Sequence, residues 1–103
     1  MKSVVTKYED MCFFCGRKAT QNHHLVFGSG NRTKAEEYGL KVPICAACHT
    51  TGNLYCRIHD NPMAEKLSKM LGQAIFEREL ALSGADKENC RQSFIREFGE
   101  SYL

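Results

Sequence analysis

The spacing of apolar residues along this chain changes near residue 60. Before it, apolar positions come in short extended runs. Thr20 to Phe27 alternates weakly and collects Leu25, Val26 and Phe27, which predicts a hairpin strand. Leu40-Lys41-Val42-Pro43-Ile44 is a second extended run. Between the two, Gly28-Ser29-Gly30-Asn31 reads as a flexible loop. Thr33-Lys34-Ala35-Glu36 fits a capping box, and Gly39 fits the C′ residue of a short helix over 33–38. Beyond Asp60-Asn61-Pro62 the period becomes helical. Met63, Leu67, Met70, Leu71, Ala74 and Ile75 predict one long amphipathic helix over 62–82, capped by Asp60 or Asn61 with Pro62 in its first turn. Ser83-Gly84-Ala85 breaks it. Asp86 then caps a second helix that carries Cys90, Phe94 and Phe98 on one face, with Gly99 near its end. Residues 1–11 form a short lead-in.

Two organisational units follow from this pattern: a Cys/His-rich core over 1–61 and a helical segment over 62–103 packed on it as one domain. A chain of 103 residues buries only a thin core, so a staple in the first unit would add stability. The net charge of +2 is uneven: residues 1–59 carry 8 Lys/Arg against 4 Asp/Glu, and residues 60–103 carry 6 against 8. The basic half is compatible with phosphate partners without requiring them. Met1-Lys2-Ser3-Val4-Val5 leads directly into charged Lys7, Glu9 and Asp10, with no h-region, and no stretch is long enough for a membrane span. The expectation is a soluble, cytoplasmic chain whose thiols stay reduced.

In a reducing compartment, paired Cys-x-x-Cys motifs point to metal. Cys12/Cys15 and Cys45/Cys48 supply four thiolates, the complete ligand set of a closed structural Zn²⁺ site. Four thiolates leave no open position for chemistry, so this zinc serves folding. The alternatives are buried free thiols, or disulfides in a secreted protein. The 29 residues between the pairs are more than a simple zinc ribbon uses, but they hold the strand, the His pair and a helix. Cys90 reads as a small hydrophobe on its helix.

The four histidines, His23, His24, His49 and His59, all fall between the first Cys pair and the long helix. On a strand His23 and His24 point to opposite faces, so one can bind a metal while the other stays free. His49 follows Cys48 directly and would be fixed in place by the zinc. The plainer alternative is that these are surface histidines or outer neighbours of the zinc.

The order Cys-x-x-Cys, His-His, Cys-x-x-Cys-His resembles the zinc-stapled HNH (ββα-metal) endonucleases, in particular the short HNH proteins of phages and prophages. Gly28-Ser29-Gly30-Asn31-Arg32, Tyr38-Gly39-Leu40-Lys41-Val42-Pro43 and Ile58-His59-Asp60-Asn61-Pro62 also read like that group. The resemblance covers residues 12 to about 62 and reaches the helical tail only loosely. It implies a small α+β fold, a zinc-stapled, treble-clef-like ββα-metal core followed by two C-terminal helices. It further implies hydrolysis of DNA phosphodiesters in the cytoplasm of a bacterial host. On it, His23 binds a catalytic Mg²⁺, Mn²⁺, Ni²⁺ or Zn²⁺ with His49 and His59, and His24 is the general base. Two positions depart from the family pattern. Its last ligand would fall at Asn53, so Asn53 and Cys56 rival His59. Its central asparagine, which orients the base, is matched best by Asn31, which could equally cap the nearby helix.

Arg17, Arg32 and Lys34 are candidates to contact nucleic acid, with ordinary solvated surface as the alternative. Phe13 and Phe14 suit packing around the first knuckle better than stacking on a base. Part of the 62–82 apolar stripe could serve a second copy of the chain, giving a homodimer. Against the endonuclease stands a non-catalytic zinc module that binds nucleic acid or a protein partner on the same scaffold.

Overall fold

A computed structural model describes every residue from Met1 to Leu103. Strands β1 (Gln21–His24) and β2 (Lys41–Ile44) pair antiparallel, with Gln21 opposite Ile44, His23 opposite Val42 and His24 opposite Lys41. Between them lies helix α1 (Asn31–Glu37). After β2 come a π-type turn (Ala47–Thr51) and two 3₁₀ turns (Leu54–Cys56 and Ile58–Asp60). Helices α2 (Pro62–Leu82) and α3 (Lys87–Phe98) complete a small α+β fold beside a four-cysteine cluster. No helix is long and apolar enough to cross a membrane.

The two long helices form where the sequence places them because their signals are local. Asn61 Oδ1 accepts from the N–H groups of Met63 and Ala64 at 3.1 Å each, and Pro62 occupies the first turn. Asp86 accepts from Asn89 N–H at 2.8 Å, and Gly99 ends α3 with φ 96°. Three other expectations are corrected. β1 stops at His24, because Leu25 and Val26 turn inward to be fully buried against α2. α1 starts at Asn31 with no side-chain cap, so the Thr33 capping box does not form. Gly28 and Gly30, at φ 111° and 79°, instead turn the chain so that Asn31 N–H meets Gly28 O at 3.2 Å.

The third correction concerns the buried face of α2. Met63 and Leu67, expected in the stripe, are 61% and 60% exposed, while Ser68, Gly72, Gln73 and Phe76 face inward. Gly72 sets this rotation, since a Cβ there would lie 2.7 Å from Val26 Cγ2 and 3.1 Å from Leu25 Cβ. Phe76, Phe94 and Phe98 then join Val26, Ala35 and Leu40 in the main core. A second cluster of Cys12, Ile44, Cys45 and Ile58 underlies the cysteines. Only 19 of 103 residues are buried, so the core is thin throughout the chain and the cysteine cluster bears on its stability.

Candidate metal centres and the histidine cavity

Cys12, Cys15, Cys45 and Cys48 bring their sulfurs within 4.8 Å of one another, and all six cysteines are free thiols. The Cys15 and Cys45 sulfurs lie 3.6 Å apart, far beyond an S–S bond. Tetrahedral Zn–S bonds of about 2.3 Å would set sulfurs about 3.8 Å apart, so the four fit one zinc ion. The first pair closes on a tight turn, with Gly16 N–H on Cys12 O at 3.0 Å and Gly16 at φ 79°. The second pair opens the π-type turn, where His49 N–H meets Cys45 O at 3.1 Å.

The thiols are electrically unequal. Arg17 Nε–H donates to Cys15 Sγ at 3.4 Å and brings that thiol down to about 6. Burial and the neighbouring sulfurs push Cys48 up to about 12. Burial works against ionising Cys12, but backbone N–H donors from Cys45, Cys15 and Phe14 outweigh it and lower its pKa. Four thiolates this close repel one another without a cation among them, and a divalent ion resolves that repulsion.

A second cluster lies alongside. One ligand nitrogen from each of His23, His49 and His59 falls within 4.8 Å of the others, although the residues come from β1, the π-type turn and the second 3₁₀ turn. His59 arrives because the chain doubles back at Gly52, whose N–H meets Ala47 O at 3.0 Å. A Cβ at Gly52 would lie 2.5 Å from that same oxygen. Cys56, one rival ligand, is outside the cluster, and Asn53, the other, does not line the cavity these histidines share.

Hydrogen bonds fix the tautomer of each ring. Ser68 Oγ donates its only hydrogen to Leu25 O at 2.8 Å, so His23 Nε2, also 2.8 Å from that oxygen, must be the donor there. This leaves a lone pair on His23 Nδ1. Burial drives the His23 pKa down to about 3, keeping the ring neutral. His49 Nδ1–H donates to Gln21 Oε1 at 2.7 Å, and His59 Nδ1–H donates to Glu65 Oε2 at 3.1 Å. Each neutral ring then carries a lone pair on Nε2, and the two Nε2 atoms lie 3.2 Å apart. Facing lone pairs repel unless a proton or a cation lies between them. Nitrogens about 2.0–2.1 Å from a tetrahedral ion would be about 3.3 Å from each other, so this separation suits metal ligation.

Both faces of β1 reach one cavity of about 300 Å³, lined by Asn22, His23, His24, Phe27, Arg32, His49, Thr50 and His59. His24 Nε2 is 2.8 Å from Glu36 Oε1, and its Nδ1 has no hydrogen-bond partner. Arg32 faces the cavity with no ion-pair or hydrogen-bond partner for its guanidinium. The other two basic candidates are engaged elsewhere: Arg17 on the Cys15 sulfur, and Lys34 on Glu97 at 2.8 Å. Asn31 is not among the lining residues; Glu36 holds the His24 ring instead. Ser68, Gln21 and Glu65 were missed in the sequence, where each is an ordinary polar residue without motif context, and Glu36 was read only as part of a helix cap. Comparison with protein-family models, curated proteins and solved structures finds no match.

Proposed function

We propose that this chain is a divalent-metal-dependent endonuclease of the HNH type, hydrolysing phosphodiester bonds of DNA, with a four-thiolate zinc that serves folding. Three imidazole lone pairs, a fourth histidine with an unbonded ring nitrogen and an unpaired guanidinium share one cavity, and this convergence supports the proposal. His23, His49 and His59 would hold the catalytic ion, and three imidazole ligands favour Ni²⁺ or Zn²⁺ over Mg²⁺ or Mn²⁺. Such an ion would polarise the phosphoryl group and stabilise charge on the leaving 3′ oxygen.

The protein's own groups would do the rest. Arg32 would bind a non-bridging phosphate oxygen and fix the backbone in place. His24 Nδ1 would take a proton from water as the water oxygen bonds to phosphorus. The bond from phosphorus to the 3′ oxygen breaks, and that oxygen takes up a proton from solvent.

The test is plasmid nicking with Mg²⁺, Mn²⁺, Ni²⁺ or Zn²⁺, with wild type beside His24→Ala. Metal-dependent cleavage by wild type alone is the expected result. Equal activity in both would discard His24 as the base. Silence in both, with binding of DNA retained, would favour the non-catalytic zinc module.

A further inference from the structure

Glu36 makes contacts that the proposed chemistry does not yet use. It closes the last turn of α1, and its carboxylate divides its work between two oxygens. Oε1 lies 2.8 Å from His24 Nε2. Oε2 accepts from Lys41 Nζ at 2.6 Å and from the Met1 amino group at 3.2 Å. Lys41 is the residue directly opposite His24 in the β1–β2 register, so one strand pair carries both the histidine and the cation that anchors its carboxylate. The His24 ring is mostly covered, at 20% side-chain exposure, and lines the cavity.

We propose that Glu36 is a positioning residue that holds the His24 ring and fixes its tautomer, with the hydrogen on Nε2 and the lone pair on Nδ1. The chemistry of the partners leaves no other arrangement. An ionised carboxylate only accepts, so the nitrogen facing it must carry hydrogen. In a neutral ring the second nitrogen is then an acceptor, and here it is the one with no protein partner. Lys41 prevents the carboxylate from swinging away, because its ammonium grips the other oxygen. The consequence for turnover rests on the nuclease proposal, whereas the tautomer does not depend on it.

The same geometry makes an unusual forecast for Glu36→Gln. Both neighbours on the Oε2 side are obligate donors, so the single amide oxygen would turn to them. The amide NH₂ would then face His24 Nε2, which could only accept, and the hydrogen would move to Nδ1. A nearly isosteric change would therefore invert the tautomer rather than loosen it.

Ring ¹⁵N spectra of zinc-loaded protein test this directly, with His24 assigned by its loss in His24→Ala. Wild type should show a protonated Nε2 and an unprotonated Nδ1. Glu36→Gln should show the reverse, and Glu36→Ala a mixture of the two. If cleavage is present, kcat should fall by about 10⁴ in Glu36→Gln with KM little changed, the scale seen when amidation of a carboxylate gives a histidine the wrong tautomer. A neutral His24 ring with its hydrogen on Nδ1 in wild type would overturn the proposal whether or not any variant folds. So would a wild-type tautomer that persists unchanged in folded Glu36→Gln. Correct tautomers in a protein without cleavage would leave Glu36 as the positioning residue and defeat only the nuclease.

Discussion

Ser68 on α2 sits 2.8 Å from His23 Nε2 on β1 and passes its own hydrogen to Leu25 O, also at 2.8 Å. A serine 45 positions away thus decides which nitrogen of a buried histidine is free to bind. Both groups are at most 4% exposed, so water cannot substitute for either.

Ser68→Ala should weaken Ni²⁺ or Zn²⁺ binding at the histidine cluster about 10–100-fold, the usual effect of losing a partner that orients a metal-ligating histidine. Calorimetric titration of protein whose four-cysteine site is already filled checks this. An unchanged affinity would mean that packing alone orients His23.

Gly72→Ala opposes two effects of known size. Alanine gains up to about 1 kcal/mol in helix propensity. Its Cβ, however, would lie 2.7 Å from Val26 Cγ2, and Val26 is fully buried with nowhere to move. Overpacking of this kind costs about 1–3 kcal/mol, so the variant should be net destabilised. Chemical denaturation would show a lower midpoint, and a higher one would refute the tight α2 crossing.

Cys45→Ala should release zinc and melt the N-terminal half, since three thiolates cannot close a structural site. Helical signal from α2 and α3 should fall in part as well, because Phe76, Phe94 and Phe98 share their core with Val26, Ala35 and Leu40 of the melted half. Zinc content and circular dichroism measured together check this. Full zinc loss with an unchanged spectrum would deny the metal its folding role.

Arg32→Ala should weaken DNA binding uniformly across sequences and reduce the salt slope by about 1, as expected for one lost phosphate contact. Lys34→Ala should change binding less, because Lys34 is already paired with Glu97 at 2.8 Å. Binding isotherms at several salt concentrations separate the two.

Glu36 is held down to about 2 by Lys41, then by His24 and the Met1 amino group. Its folded pKa is depressed, so the stabilisation it supplies is complete above the ordinary glutamate pKa. That stabilisation is lost as pH falls from about 4.5 towards 2. The side chain is 42% exposed, and solvent screening keeps this contribution small. A ¹³C titration should find the Glu36 carboxylate still ionised at about pH 4, where an unperturbed glutamate is more than half protonated. Lys41→Met should raise its midpoint.

The features legible in the sequence are those encoded within a few residues. Asn61 and Pro62 start α2, and Asp86 and Gly99 bound α3, because caps and C′ glycines bond to groups no more than about four positions away. The two Cys-x-x-Cys pairs declared the cysteine cluster for the same reason: each turn delivers two sulfurs by itself. The grouping of His23 with His49 and His59 came from the family resemblance, but the partners that orient each ring were not legible.

Tertiary structure alone decided which face of α2 turns inward, because the close crossing at Gly72 outweighs the apolar stripe of Met63 and Leu67. It likewise brought His59 rather than Cys56 to His23 and His49, and left Asn53 out of the cavity lining, through a reversal that needs Gly52. It also drew Arg17 onto a thiolate and Lys34 onto Glu97, leaving Arg32 to the cavity. The four polar residues that set the histidine tautomers, Ser68, Gln21, Glu65 and Glu36, act across chain separations of 6 to 45 residues. A hydrogen bond between distant segments depends on where helices and strands cross, and a one-dimensional pattern carries the propensity of each element but not that crossing.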